Sequence, residues 1–117
     1  MIDPEVREAL DAHILPWEDV TSRAMFGGVA YMVKSKMFAM LAEGVMAMKL
    51  TDELRSRALT LAGVSPFKPT GSTFGRWIQF VILLDDDVPV LIPWLEAALK
   101  HVASLPAPAR RRRSAAR

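Results

Sequence analysis

Cysteine is absent from all 117 residues. The chain therefore has no disulfide, no thiolate metal ligand and no cysteine nucleophile, a composition that fits a reducing compartment. Histidine is scarce. His13 and His101 sit in neither an HxxxH nor an HExxH pattern, so a zinc centre or a histidine base would need a long-range pairing that no spacing announces. No run approaches the roughly 18 apolar residues of a membrane span. The opening MIDPEVREAL carries acids where a signal peptide has a basic start and an apolar stretch. A cytoplasmic location without a membrane partner is the expectation.

Hydrolase signatures are missing as well. Ser22, Ser35, Ser56, Ser65, Ser72 and Ser104 lie in no G-x-S-x-G elbow and no S-x-x-K arrangement. The segment GSTFGR, Gly71 to Arg76, has the glycines of a phosphate loop but lacks the Lys-Ser/Thr pair and leads into a strand, so it reads as a turn. Asp85, Asp86 and Asp87 are adjacent, and adjacent carboxylates diverge where a hard cation needs converging oxygens. They read as a solvated turn and helix cap. No catalytic residue, cofactor site or metal site is expected, and the chain is read as a non-enzyme.

What is present is a core. Hydrophobic residues make up 51% of the chain and charged residues 24%, the balance of one compact soluble domain. The formal net charge of +2 is misleading, because Arg110, Arg111, Arg112, Arg113 and Arg117 supply five positive charges in the last eight residues. Without them the body stands at −3. A single domain over residues 1–106 and a disordered arginine-rich tail over 107–117 follow, since PAPARRRRSAAR has no apolar side chain larger than alanine.

Along the chain, Asp3 is an N-cap, Pro4 suits the first helical position, and Val6, Leu10 and Ile14 follow at helical spacing up to Pro16. From Met25 to Leu50, the runs GGVAYMV, KMFAML and VMAMKL are parted by breaks of two or three residues, which permit hairpins and not crossovers. This predicts a three-stranded antiparallel meander, with Lys49 on its wetter face. Thr51 caps a second helix in TDELRSRALTLAG, with Leu54, Ala58 and Leu61 as its stripe and Gly63 as its stop. A weak edge strand, the strong strand RWIQFVIL, and a last helix begun at Pro89 or Pro93 and striped by Trp94, Leu95, Ala98, Leu99 and Val102 complete the chain. The fold class is α+β, two-layer, an antiparallel sheet with helices, in the order α-β-β-β-α-β-β-α.

Seven methionines are unusual, and Met25, Met32, Met37, Met40, Met46 and Met48 all fall in the meander. Methionine fills irregular cores and also adaptable binding faces, and both readings stand at this point. The run Arg110 to Arg113 is a candidate phosphate contact through counterion release, with Lys34, Lys36, Lys49 or Arg76 as helpers. No aromatic is interleaved there to read bases.

The segments SRAMFGGVAYMVKSKMFAML, VMAMKL, FGRWIQF and PWLEAALKHVASLP resemble the TfoX N-terminal domain family over about Pro4 to Pro106. The specific residues are Arg23, Met25, Phe26, Gly27 and Gly28, then Lys36, Met37 and Phe38, with Trp77 and Trp94. Phe26 is read as a core anchor, and Gly27 and Gly28 as a place where backbone bends or packs too closely for a Cβ. The resemblance implies a two-layer, secretion-chaperone-like fold. It also implies a non-enzymatic bacterial regulatory module of the kind found in TfoX/Sxy competence regulators, working through an unidentified protein partner. Ser35 stands where many relatives have glycine. The alternative is a nucleic-acid-binding protein that uses the basic tail, and oligomeric state is left open.

Overall fold

A computed structural model describes residues 2–25, 27–68 and 77–106. Helix α1 spans Pro4–Ile14, strands β1 to β4 span Val20–Met25, Gly28–Val33, Lys36–Ala42 and Val45–Met48, and helix α2 spans Asp52–Ala58. Strands β5 and β6 span Val64–Pro66 and Ile78–Val81, and a 3-10 turn at Asp85–Asp87 leads into helix α3, Val88–Ser104. All strand pairs are antiparallel, and the sheet order is β1-β2-β3-β4-β6-β5.

The α+β architecture read from the sequence is the one observed, with one strand more. The three runs predicted between Met25 and Leu50 are β2, β3 and β4, and a fourth strand, β1, precedes them. β1 escapes a periodicity search because it lies at the sheet's edge. Only Val20 of its six residues is buried, so no apolar alternation marks it.

Register sorts the side chains into two faces. One row across the sheet runs Ala24, Val29, Leu41, Met46, Phe80, Val64. It faces the helices, where Val6, Leu10 and Ile14 of α1 and Val88, Leu91, Leu95, Ala98 and Val102 of α3 complete the main core. The neighbouring row runs Arg23, Ala30, Met40, Ala47, Gln79, Ser65 on the opposite face. There a second, smaller core forms from Met40, Ala47, Phe67 and Trp77, the two rings 6.4 Å apart between centroids. A bulge between Tyr31 and Met32 breaks the β2–β3 register and leaves Phe38 as the extra residue, fully buried on the helix side.

The first and last helices are each tied to the β2–β3 hairpin by a polar contact. Asp3 caps α1 by accepting from the Glu5 amide at 2.8 Å, and the buried Tyr31 hydroxyl donates to Asp11 Oδ1 at 2.7 Å, tying α1 to the middle of β2. Lys36 Nζ donates to the Leu105 carbonyl at 2.6 Å, satisfying a carbonyl at the open C-terminal end of α3. Trp94 packs on Phe80 with centroids 5.5 Å apart.

Two helices differ from their sequence-based expectations. α2 stops at Ala58, five residues short of Gly63. Its chain tightens into i→i+3 bonds from Thr60 to Arg57 and from Leu61 to Ala58, which turns Leu61 out to 45% exposure instead of continuing the stripe. α3 begins at Val88 with Pro89 in its first turn and carries Pro93 inside it. An interior proline costs about 3 kcal/mol in mid-helix. The cost here is limited by place, because Pro93 is exposed and the carbonyl it leaves without an i+4 donor is that of Pro89, in the opening turn.

Gly27 has φ of 76°, left-handed backbone that glycine adopts without strain. Gly28 is constrained otherwise: a Cβ there would overlap the Leu41 carbonyl oxygen across the sheet. Gly28→Ala is expected to destabilise the fold by about 2 to 3 kcal/mol, the cost of overpacking against backbone that cannot give way. Urea unfolding measures it, and an unchanged midpoint would contradict the close approach.

Tyr31 supplies a second test, because it is the one tyrosine in the chain. Burial pushes its phenol far above the ordinary value, and the hydrogen bond to Asp11 adds to the shift. The unfolded chain ionises near the ordinary tyrosine pKa of about 10, so this contribution to stability is complete below that pH and is lost as pH rises above it. The phenolate absorbance is expected to stay absent above pH 10 until the protein unfolds. Tyr31→Phe should flatten the alkaline loss of stability, and a phenol that titrates at its ordinary pKa in the folded state would refute the assignment.

Candidate interaction surface at the first strand

The two sheet edges are built differently. β5 is three residues long and ends in Pro66, a short edge with a missing donor, as natural sheets protect themselves. β1 is six residues long, contains no proline, and among the described residues pairs with β2 alone. The Lys34 amide donates to the Asp19 carbonyl at 3.4 Å, just outside the register pair of Val20 with Val33. Antiparallel alternation then turns the backbone of Asp19, Thr21, Arg23 and Met25 toward β2 and that of Val20, Ser22 and Ala24 outward. The Val20 amide is taken by the Trp17 carbonyl at 3.3 Å. The outward amides of Ser22 and Ala24 have no acceptor among the described residues.

Beside this edge, Asp19, Val20, Thr21, Arg23, Met32, Lys34 and Ser35 line a shallow cavity of about 520 Å³. Asp19, Lys34 and Ser35, with φ of 67°, 51° and 69°, are the non-glycine residues at positive φ among those described. Lys34 and Ser35 form the two-residue turn between β2 and β3, and two consecutive left-handed residues match the twist of a hairpin. Arg23 and Lys34 are exposed and take part in no ion pair or side-chain hydrogen bond among the described residues.

The methionines divide by face. Met46 and Met48 lie fully buried in the main core, and Met40 is 3% exposed in the second core. Met25, Met32 and Met37 are half-buried. By register Met25 lies opposite Gly28, and Met32 opposite Met37, on the face away from the helices. Core filling accounts for the first three, and Met37 packs against the second core; Met25 and Met32 lie on the same face at opposite ends of the β1–β2 pair, with Arg23 between them.

Other sequence-predicted residues fall elsewhere. Lys36 is engaged at the end of α3, Met37 packs against the second core that contains Trp77, and Trp94 covers Phe80. Lys49 is half-buried, its amide bonded to the Phe38 carbonyl at 3.2 Å. His13 is exposed on α1 and His101 half-buried on α3. Asp87 accepts from the Leu83 and Leu84 amides at 2.9 and 3.1 Å, which holds its carboxyl below the usual carboxylate range. Among the described residues no group of three or more His, Asp or Glu converges as a metal site, and no helix is long and apolar enough to cross a membrane. Phe26, Arg76, the glycine-rich segment 71–76 and Arg110 to Arg113 lie outside the described residues.

The sequence reading missed the β1 edge altogether. The signal was there in the two-residue spacing between Met25 and Gly28, since β-forming residues on both sides of a glycine turn specify a hairpin.

The model of the TfoX N-terminal domain matches residues 12–102, from within α1 to near the end of α3, so the match includes every strand of the sheet. No curated protein and no solved structure matches.

The turn beside this surface yields a prediction. Ser35 holds a left-handed conformation at φ of 69° that costs a residue with a Cβ about 1 to 2 kcal/mol. Glycine relieves the strain but loses more freedom on folding. Ser35→Gly is expected to stabilise the fold by about 0.5 to 1 kcal/mol, the difference between those terms. Thermal unfolding checks it, and a lowered melting temperature would refute the turn assignment.

Proposed function

The chain belongs to the TfoX N-terminal domain family, and on that premise we propose that it is a non-enzymatic cytoplasmic regulatory module that binds a protein partner at the open edge of β1. The observation that carries this reading is the contrast between the two edges: β5 is short and ends in proline, and β1 offers the outward amides of Ser22 and Ala24. A partner strand added there gains main-chain hydrogen bonds from the edge and side-chain selectivity from what flanks it. Arg23 and Lys34, without partners among the described residues, favour a strand bearing acidic side chains, and the half-buried Met25 and Met32 offer adaptable apolar contacts at either end of the edge.

Pairing with a second copy of β1 is disfavoured on the same grounds. Two antiparallel copies bring the Arg23 side chains close together on one face, and like charges at that range repel. A second reading, nucleic-acid binding, is favoured by the unpaired Arg23 and Lys34 together with the arginine run 110–113 of the sequence.

Ala24→Pro separates these readings. It removes an outward amide and no bond of the β1–β2 ladder, so the melting temperature should change little. A saturable protein partner captured from native cells by the wild-type chain should be lost by the variant at both low and moderate salt. Partner capture unaffected by Ala24→Pro would refute the edge. DNA binding that survives this variant, and disappears when residues 107–117 are deleted, would favour the alternative.

A further inference from the structure

Exposed large apolar side chains gather on the side of the molecule away from β1. Leu61, Val81 and Val90, at 45%, 48% and 69% exposure, line a groove of about 190 Å³ between the turn after α2 and the first turns of α3, floored by Val64, Phe80, Leu91 and Trp94. Leu83 and Leu84, also well exposed, come after the buried Ile82 and lie outside the groove's lining. Scattered exposed apolar residues are ordinary, but a contiguous set around a concavity marks an interaction site.

Its charge has one sign. Asp87 is the charged residue that lines the groove, with no lysine or arginine among the lining residues. Asp85 and Asp86 are exposed in the same 3-10 turn. The two amide bonds to Asp87 hold that turn in place at the groove's rim. Arg57, on the preceding helix, is paired with Glu53 at 3.5 Å and does not offset the carboxylates.

We propose that this groove docks a short segment of a partner protein that inserts one or two aliphatic side chains and carries lysine or arginine next to them. Its volume suits one or two such side chains, and the aspartate triplet gives the segment its required charge. A second copy of the chain fits poorly, because an isologous contact sets the two aspartate triplets against each other. The groove lies by β5 and β6 and the β1 edge at the other side of the sheet, so this inference stands independently of the proposed function.

The test is selection of displayed random peptides on the full chain, followed by affinity measurement of a recovered peptide against variants. The expected result is a consensus of paired aliphatic residues flanked by Lys or Arg. Val90→Glu, at a position too exposed to disturb folding, should weaken binding by about tenfold or more. Asp85→Asn with Asp86→Asn should weaken it by about threefold to tenfold at low salt and less at high salt. Ala24→Pro should leave it unchanged, which separates this groove from the β1 edge. No enriched consensus, an acidic consensus, or equal binding to Val90→Glu would each overturn the proposal. So would sedimentation showing a dimer that Val90→Glu abolishes, which would make the groove an interface between copies.

Discussion

Gly28 lies so close to the Leu41 carbonyl that no side chain fits between them, and much of the rest hangs on that approach. A strand register can slip, and a slip of one residue exchanges the faces of every side chain on the strand. At Gly28 the β2–β3 pairing is held by shape. Given that register, Tyr31 faces the helices and reaches Asp11 on α1. At the far end of the same strand pair, the bulge turns Phe38 into the core beside Ala39, and Lys36 reaches the Leu105 carbonyl at the C-cap of α3. Both terminal helices are thus fastened to one hairpin by polar contacts that the hairpin's register positions.

The two faces of the sheet are closed by different means. Helices α1 and α3 bury one face under a continuous apolar layer. The other is covered in part by Phe67 and Trp77, over Met40 and Ala47, and among the described residues Met25 and Met32 on the β1 side of that face are half-buried. The two surfaces proposed for partners are a basic edge at β1 and an apolar groove by β5, β6 and α3 lined by Asp87. The two have opposite charge and lie on opposite sides of the sheet, so one partner segment cannot satisfy both.

Much of the fold was legible because its signals are local. Asp3 and Thr51 cap helices by bonds to amides two and three residues away, and hairpin breaks such as Lys34–Ser35 and Glu43–Gly44 join strands that pair at once. β1 was not legible from alternation, since an edge strand buries one residue in six; its mark in the sequence is the two-residue turn before Gly28. The end of α2 was not legible. Gly63 looked like a helix stop, but its carbonyl accepts from the Val81 amide at 3.1 Å, a contact made by a strand far along the chain.

By itself, then, the amino-acid sequence determined the α+β class, the starts of α1 and α2, the meander and the family likeness, because caps, turns and apolar periods act over a few residues. Only the tertiary structure decided which methionines are core and which are surface, which lysine is engaged and which is free, and where an unpaired edge and an exposed apolar groove remain. Those depend on pairings between distant residues, Tyr31 with Asp11, Lys36 with Leu105, and Val81 with Gly63, which no local pattern encodes.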